Sequence, residues 1–177
     1  MMKHTLHIVT GAPGSGKSTA LEAFLRLKSD FIAFDIDWLT ETASDLAGKD
    51  VIFDQSTWKP YNGVWFEVLY ATHLNSKTAV FFAPTSTSDI VKHGKPAWCS
   101  DIEWLLLDCD DGIRYRRLKQ RPEWTDAMIE EAVNDAIFLR QTVRLRIDTG
   151  TTPPDQVAHL IRDWLQRTDD RHSESIA

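Results

Sequence analysis

Cysteine is scarce in this chain, with two in 177 residues. Neither Cys99 nor Cys109 has Cys or His companions at zinc-ligand spacing, so a disulfide scaffold and a structural zinc site are both excluded. Long apolar runs are missing as well. None approaches the ~20 residues that span a bilayer, and no membrane partner is expected. The short apolar run near the N-terminus leads straight into a glycine-rich segment, which is not the layout of a secretory signal. A cytoplasmic protein with reduced thiols is the expectation. Positive charge is also short: 20 Lys and Arg stand against 26 Asp and Glu, a net charge of −6. Duplex affinity comes largely from phosphate neutralisation, so a general nucleic-acid-binding role is disfavoured, although a narrow basic site is not. Internal repeats and low-complexity tracts are absent. What remains is a chain with 42% hydrophobic residues, enough for one globular core.

The most informative stretch is Gly11-Ala12-Pro13-Gly14-Ser15-Gly16-Lys17-Ser18, followed by Thr19. It fits G-x-x-x-x-G-K-[ST], the P-loop or Walker A pattern. Glycines let successive backbone N–H groups turn inward as a nest for phosphate, and Lys17 brings a mobile positive charge to the terminal phosphates. Ser18 offers a hydroxyl to Mg²⁺, and the helix that follows presents its positive dipole end. The context agrees, with an apolar strand at residues 5–10 before the loop and a helical pattern at 17–28 after it. A nucleoside triphosphate is therefore the first expected partner.

Strand and helix patterns alternate from there. Residues 31–34 read as a second, buried strand ending in Asp35-Ile36-Asp37-Trp38. Residues 40–50 fit helix or loop. Residues 51–54 fit either a third strand ending in Asp54 or one turn of an insertion. Helical spacing from Tyr61 to Leu74 includes Val64, Trp65, Val68 and Leu69. The stronger strand pattern at 79–83 is taken as the third core strand, with a loop after it and an irregular stretch at 89–101. A fourth strand covers 102–107, followed by a basic segment with Arg114, Arg116, Arg117, Lys119 and Arg121. An amphipathic helix at 126–142 would carry Ile129, Val133, Ile137 and Arg140 along its length. A last strand at 145–149 and a helix at 156–166 complete the pattern, with Val157, Leu160, Ile161, Trp164 and Leu165 facing inward. The alternation predicts an α/β fold: three layers, with a central five-stranded parallel sheet and helices on both faces. Residues 1–167 would form a single domain, and 168–177 a polar, disordered tail.

A P-loop alone specifies nucleotide binding and no chemistry. A GTPase would carry N-K-x-D after a strand, and Asn75-Ser76-Lys77-Thr78 precedes a strand and lacks the aspartate. A motor-type ATPase would show a strand ending in adjacent acids, and residues 105–108 fit only superficially before an arginine-rich segment. Small kinases need a P-loop, a carboxylate site after the second strand and an arginine lid, and all three patterns are present. The chain resembles the nucleoside-monophosphate-kinase-like group of P-loop kinases, which includes shikimate and gluconate kinases, chloramphenicol phosphotransferase and the zeta toxins. It is similar as well to small bacterial AAA-family ATP-binding proteins. The residues that carry the resemblance are GAPGSGKST at 11–19, FDIDW at 34–38, YNGVWFEVL at 61–69, RLKQRPEW at 117–124 and the segment 146–165.

The resemblance implies an ATP- and Mg²⁺-dependent phosphotransferase acting on a small-molecule acceptor: a nucleoside or nucleotide, a sugar acid or an antibiotic-like compound. Asp35 and Asp37 resemble the pair that holds the acceptor hydroxyl and helps Mg²⁺, and residues two apart on an extended segment share a side. One would orient or deprotonate the acceptor, and the other would reach Mg²⁺ through water. Taken alone, the pair also fits a helix cap. Arg117 and Arg121, four apart, resemble a lid over residues 112–126 that would clamp the transferring phosphoryl and exclude water. Thr149 and Gly150 resemble the adenine-side turn. Many relatives end the third strand with an acidic Walker B residue, whereas this one ends in Ala83-Pro84. The metal shell would then be Ser18 with Asp37 or Asp35, or Asp54 if 51–54 were the third strand. Trp38, Trp58, Tyr61, Asn62 and Trp65 gather on the acceptor side, where aromatic rings stack planar or sugar-like molecules. Two further readings stay open: a nucleotide-binding regulator or ATPase without an acceptor, and a polynucleotide 5′-kinase. The acidic residues between 35 and 54 disfavour the latter. A monomer and a homodimer both fit.

Overall fold

The apolar runs bounded by polar breakers form five strands: β1 (His4–Thr10), β2 (Ile32–Asp35), β3 (Ala79–Phe82), β4 (Cys99–Asp108) and β5 (Arg146–Asp148). Seven helices connect or flank them: α1 (Lys17–Arg26), α2 (Thr40–Ala47), α3 (Trp58–Leu74), α4 (Thr87–His93), α5 (Asp111–Lys119), α6 (Asp126–Thr142) and α7 (Pro154–Glu174). The structure, a computed structural model, describes residues 4–174. Every strand pairing is parallel, and the order across the sheet is β2-β3-β1-β4-β5. The chain leaves β1 for β2 and β3 on one side and returns for β4 and β5 on the other. The carboxyl edge beside β1 is thus where such sheets hold ligands.

Alternate residues of each strand face opposite layers. On one face Val9, Val80, Phe82, Leu105 and Leu107 pack against Leu21 and Phe24 of α1 and against Val157, Ile161 and Trp164 of α7. On the other, Leu6, Ile8 and Phe81 pack against Tyr61, Trp65 and Leu69 of α3 and Ile90 of α4. Leu106 meets Ala136 and Leu139 of α6 on that second side. The three-layer α/β architecture with a five-stranded parallel sheet is the one the alternation predicts. Among the described residues, no helix is long and apolar enough to cross a membrane.

Of the two alternatives for residues 51–54 the turn is the one formed: the Asp50 carboxylate accepts N–H bonds from Ile52 (2.9 Å) and Phe53 (3.4 Å), and the third strand is the later run. Three local expectations need correction. The irregular stretch at 89–101 begins inside α4, whose capping box joins the Ser86 hydroxyl to the Asp89 N–H and the Asp89 carboxylate to the Ser86 N–H. The buried face of α6 is Ile129, Ala132, Ala136 and Leu139, while Ile137 is exposed. Small alanines, not the large aliphatics, allow that helix to sit close. Finally, α7 continues to Glu174, past the expected start of the tail at Thr168. Thr168 is buried, its hydroxyl lying 2.9 Å from Nε2 of His7 and back-bonding to Leu165 O at 2.8 Å. The last three positions of the expected tail, 175–177, lie outside the described residues.

Candidate active site

The P-loop spans the carboxyl end of β1 and the start of α1. Gly16, with φ +87°, serves as the N-cap of α1, and no side chain caps the helix. The first-turn amides at Lys17, Ser18 and Thr19 thus keep their orphan donors for a ligand. A Cβ at Gly11 would collide with the Leu107 carbonyl and with Oγ of Ser15, so only glycine fits there. Ser15 Oγ is buried without a hydrogen-bond partner. Lys17 folds back to donate to the Gly11 carbonyl. Burial lowers its pKa to about 8, while the negative charges of Asp37 and then Asp35 pull it upward. Both carboxylates therefore bear on the P-loop lysine. Ser18 and Thr19 stand exposed at the helix start.

The floor of the loop is an ion-pair network that sequence reading missed. Arg114, fully buried in α5, donates to the carbonyls of Pro13 (2.6 Å) and Ala12 (3.4 Å) and to the Asp108 carboxylate (2.6 Å). Arg140 of α6 grips the other oxygen of Asp108 at 2.7 Å and Asp111 at 2.6 Å. Asp108 ends β4 and is thereby consumed by arginines, as a structural counterion rather than a site for metal. Arg117 lies one turn along α5 and donates to Gly14 O (3.1 Å) and Thr149 O (2.9 Å). The Thr149 hydroxyl meets Ser15 O at 2.6 Å. The basic segment and the 148–150 turn are thus bolted to the phosphate nest from two sides. The one signal for Arg114 in the sequence is its place, one helical turn past Asp110-Asp111, where a cation can reach back to the strand end.

Two cavities open beside the loop. The first, about 370 Å³, is lined by Gly16, Thr19, Arg117, Arg121, Thr149 and Val157 among others. Arg121 does not share a helix face with Arg117, because α5 ends at Lys119. Both still line this P-loop cavity, and the Arg121 guanidinium sits 6.0 Å from the Trp124 ring centroid. Gly150 is a turn residue beside it, donating to the Asp148 carboxylate at 2.8 Å, and does not line it.

The second cavity, about 230 Å³, includes Asp37, Trp58, Tyr61, Asn62, Thr85 and Asp89 in its wall. It adjoins the P-loop, since Thr10 donates its hydroxyl proton to Thr85 O at 2.7 Å. Asp37 lines this carboxylate cavity. Asp35 does not; its carboxylate accepts the Asp37 N–H at 3.0 Å, capping a 3-10 turn, so the helix-cap role is filled. Burial, foremost, raises the pKa of Asp35. Tyr61 Oη and Trp65 Nε1 (3.1 Å) both donate to the Ile36 carbonyl, pinning the peptide between the two aspartates. Trp65 is 2% exposed and lines neither cavity, and Trp38 faces solvent and lines neither. These two depart from the expected acceptor cluster, while Tyr61 and Asn62 stand in the wall.

No cluster of three or more His, Cys, Asp or Glu able to hold a metal occurs among the described residues. Asp54 is removed from consideration: it caps a turn by accepting the Ser56 N–H (2.9 Å) and pairs with Lys49 at 3.2 Å. The donor set left is the Ser18 hydroxyl with Asp35 and Asp37. That suits Mg²⁺, which keeps several waters and takes its remaining oxygens from phosphates.

No family model and no curated protein matches the sequence. Solved structures do. A gluconokinase from Sinorhizobium meliloti 1021 superposes with a TM-score of 0.63 at 17% identity, covering 97% of both chains. The fold is that of the P-loop kinases. A tunicamycin resistance protein from Deinococcus radiodurans superposes at TM-score 0.62 and 17% identity, covering 93% of this chain and 96% of its own. A sugar kinase from Janibacter sp. HTCC2649 gives 0.60 at 17% identity, covering 93% and 95%. At these identities the likeness is one of fold.

Proposed function

We propose that this P-loop kinase fold is an ATP- and Mg²⁺-dependent phosphotransferase that moves the γ-phosphoryl group to a small-molecule acceptor. The observation that carries the reading is the position of Asp37, which bears on Lys17 and at the same time lines a separate cavity. A carboxylate placed between a phosphate nest and a second pocket suits transfer to an acceptor held in that pocket.

Each group then has a role. The nest and the uncapped α1 terminus hold the β- and γ-phosphates, and Lys17 leaves the Gly11 carbonyl to meet them. The P-loop cavity takes the nucleoside, with Arg117, Thr149 and the neighbouring turn at its edge. Residues 112–126 act as the arginine lid, with Arg121 as its mobile charge, since Arg117 is already tied down. Asp37 orients the acceptor hydroxyl and accepts its proton as the phosphoryl transfers, and Asp35 fixes the backbone that aims it. Ser18 and one of the two carboxylates would hold Mg²⁺, which when bound would supply charge neutralisation for the transferring group. Tyr61 and Asn62 contact the acceptor, and the pinned Ile36 peptide keeps Asp37 within the narrow geometry that transfer demands. The single domain of residues 1–167 carries all of these parts.

The test is a metabolite-library screen that reads ADP release against the no-acceptor background, covering nucleosides, sugars, antibiotics and oligonucleotide ends. Acceleration by an acceptor, with a phosphorylated product of matching mass, is the expected outcome. A rate raised by none of them would instead favour an ATPase or regulator.

A further inference from the structure

Among the described residues, the wall of the carboxylate cavity contains Asp37 and Asp89 and no lysine, arginine or histidine. Its remaining polar groups are neutral: Thr40, Asn62 and Thr85, with Trp58 and Tyr61 as aromatic surfaces. The neighbouring cations lie outside this wall, and Lys17 donates to the Gly11 carbonyl of the P-loop. Arg117 and Arg121 line the P-loop cavity, and Arg114 is buried beneath the loop on Asp108. Asp89 is held in place by α4, accepting from Ser86 N (2.8 Å) and Ser86 Oγ (2.6 Å), both on Oδ2. It is therefore a fixed negative charge and not a flexible surface group.

We infer that the acceptor is a neutral or cationic alcohol with a flat apolar part, and that carboxylate- and phosphate-bearing acceptors are rejected. The inference rests on the kinase reading and narrows it, removing nucleotides and sugar acids from the acceptor classes. An anionic acceptor would be desolvated next to two carboxylates with no cation among the described wall residues to pair it, Lys17 being committed to the nucleotide phosphates, and like charges in such a setting oppose binding. A neutral alcohol meets no such penalty. Its hydroxyls can bond to Asn62, Thr40 and Thr85, one can donate to Asp37, and its apolar portion can lie on Trp58 or Tyr61. An ammonium group would gain from Asp89. Discrimination of this kind comes from the repulsive element as much as from the attractive ones.

Three aryl hexosides that differ in the charge of one substituent test it: p-nitrophenyl glucoside (neutral), glucosaminide (cationic) and glucuronide (anionic). Their affinities for the protein are measured by calorimetry with Mg²⁺ and a non-hydrolysable ATP analogue present. The glucoside and glucosaminide should bind about tenfold or more tightly than the glucuronide. In Asp89→Asn the glucuronide should gain several-fold and the glucosaminide should lose. Glucuronide binding as tight as glucoside binding in the wild-type protein would overturn the inference, as would failure of all three to bind. If the order holds but mass spectrometry finds no phosphorylated hexoside with ATP, the charge rule stands and the transferase reading loses its support.

Discussion

The P-loop cavity is lined by backbone, threonines and two arginines, and the carboxylate cavity by two aspartates, two aromatic rings and small polar groups. They sit a few residues apart on one sheet edge with opposite charge. The first is built from contiguous sequence, with every amide of the nest within nine residues. The second is assembled from the end of β2, the start of α3 and the loop after β3. A phosphate nest asks for one backbone shape, which tolerates few sequences. A pocket for an organic molecule can be lined in many ways.

Damage to the two sides should therefore separate. The largest effect is expected on the P-loop side. Arg114→Leu removes a fully buried cation from Asp108 and from the Pro13 and Ala12 carbonyls. Breaking a buried pair of this kind costs about 3–5 kcal/mol, read as a lower midpoint in urea. An unchanged midpoint would mean that the network does not hold the nest.

Next comes Asp37→Asn, which keeps shape and hydrogen bonding but loses the base. Phosphoryl transfer should fall by about 10²- to 10⁴-fold, with the ATP Kd nearly unchanged in calorimetry. Equal loss of binding and turnover would erase the distinction between the two cavities.

The pH response sharpens it further. The folded, nucleotide-free protein loses the Lys17 proton near pH 8, whereas the unfolded chain keeps it to the usual 10.5. Phosphates need the ammonium, so nucleotide affinity should fall as pH rises through 8, approaching about tenfold per unit. Between pH 8 and 10.5 the unfolded state binds more protons, so the nucleotide-free protein should gain stability from this group as pH rises. Lys17→Ala should flatten both trends.

The smallest effect belongs to Asp54→Ala. Its carboxylate is occupied by Ser56 and Lys49 in a surface turn. Turnover at limiting Mg²⁺ should stay within about twofold of wild type, as for other exposed pairs. A large rise in the Mg²⁺ requirement would return Asp54 to the metal shell.

Legibility followed the same divide. The P-loop at residues 11–19 and the strand-helix alternation follow local rules of spacing, as does the buried face of α3 at Tyr61, Trp65 and Leu69, although Val64 at the same spacing is exposed. Asp35 and Asp37 were found because they end a strand. Their unequal standing was not, because only the fold shows Asp35 capping a turn while Asp37 turns to the cavity. Trp65 and Trp38 look alike as sequence. One lies on the side of α3 that meets the sheet and pins Ile36, and the other sits in solvent on the 3-10 turn after β2. Asp89, read as part of an irregular stretch, enters the cavity wall because the Ser86 box starts a helix there.

By itself the amino-acid sequence determined the α/β class, the phosphate nest and the absence of an acid after β3, since each depends on residues adjacent along the chain. The tertiary structure alone decided that Asp108 is spent on Arg114 and Arg140, that Arg117 is bolted to Thr149, and that the second cavity has no cation among its described wall residues. Those facts depend on groups brought together across tens of residues, where charge, burial and partner are properties of the packed chain and not of any segment.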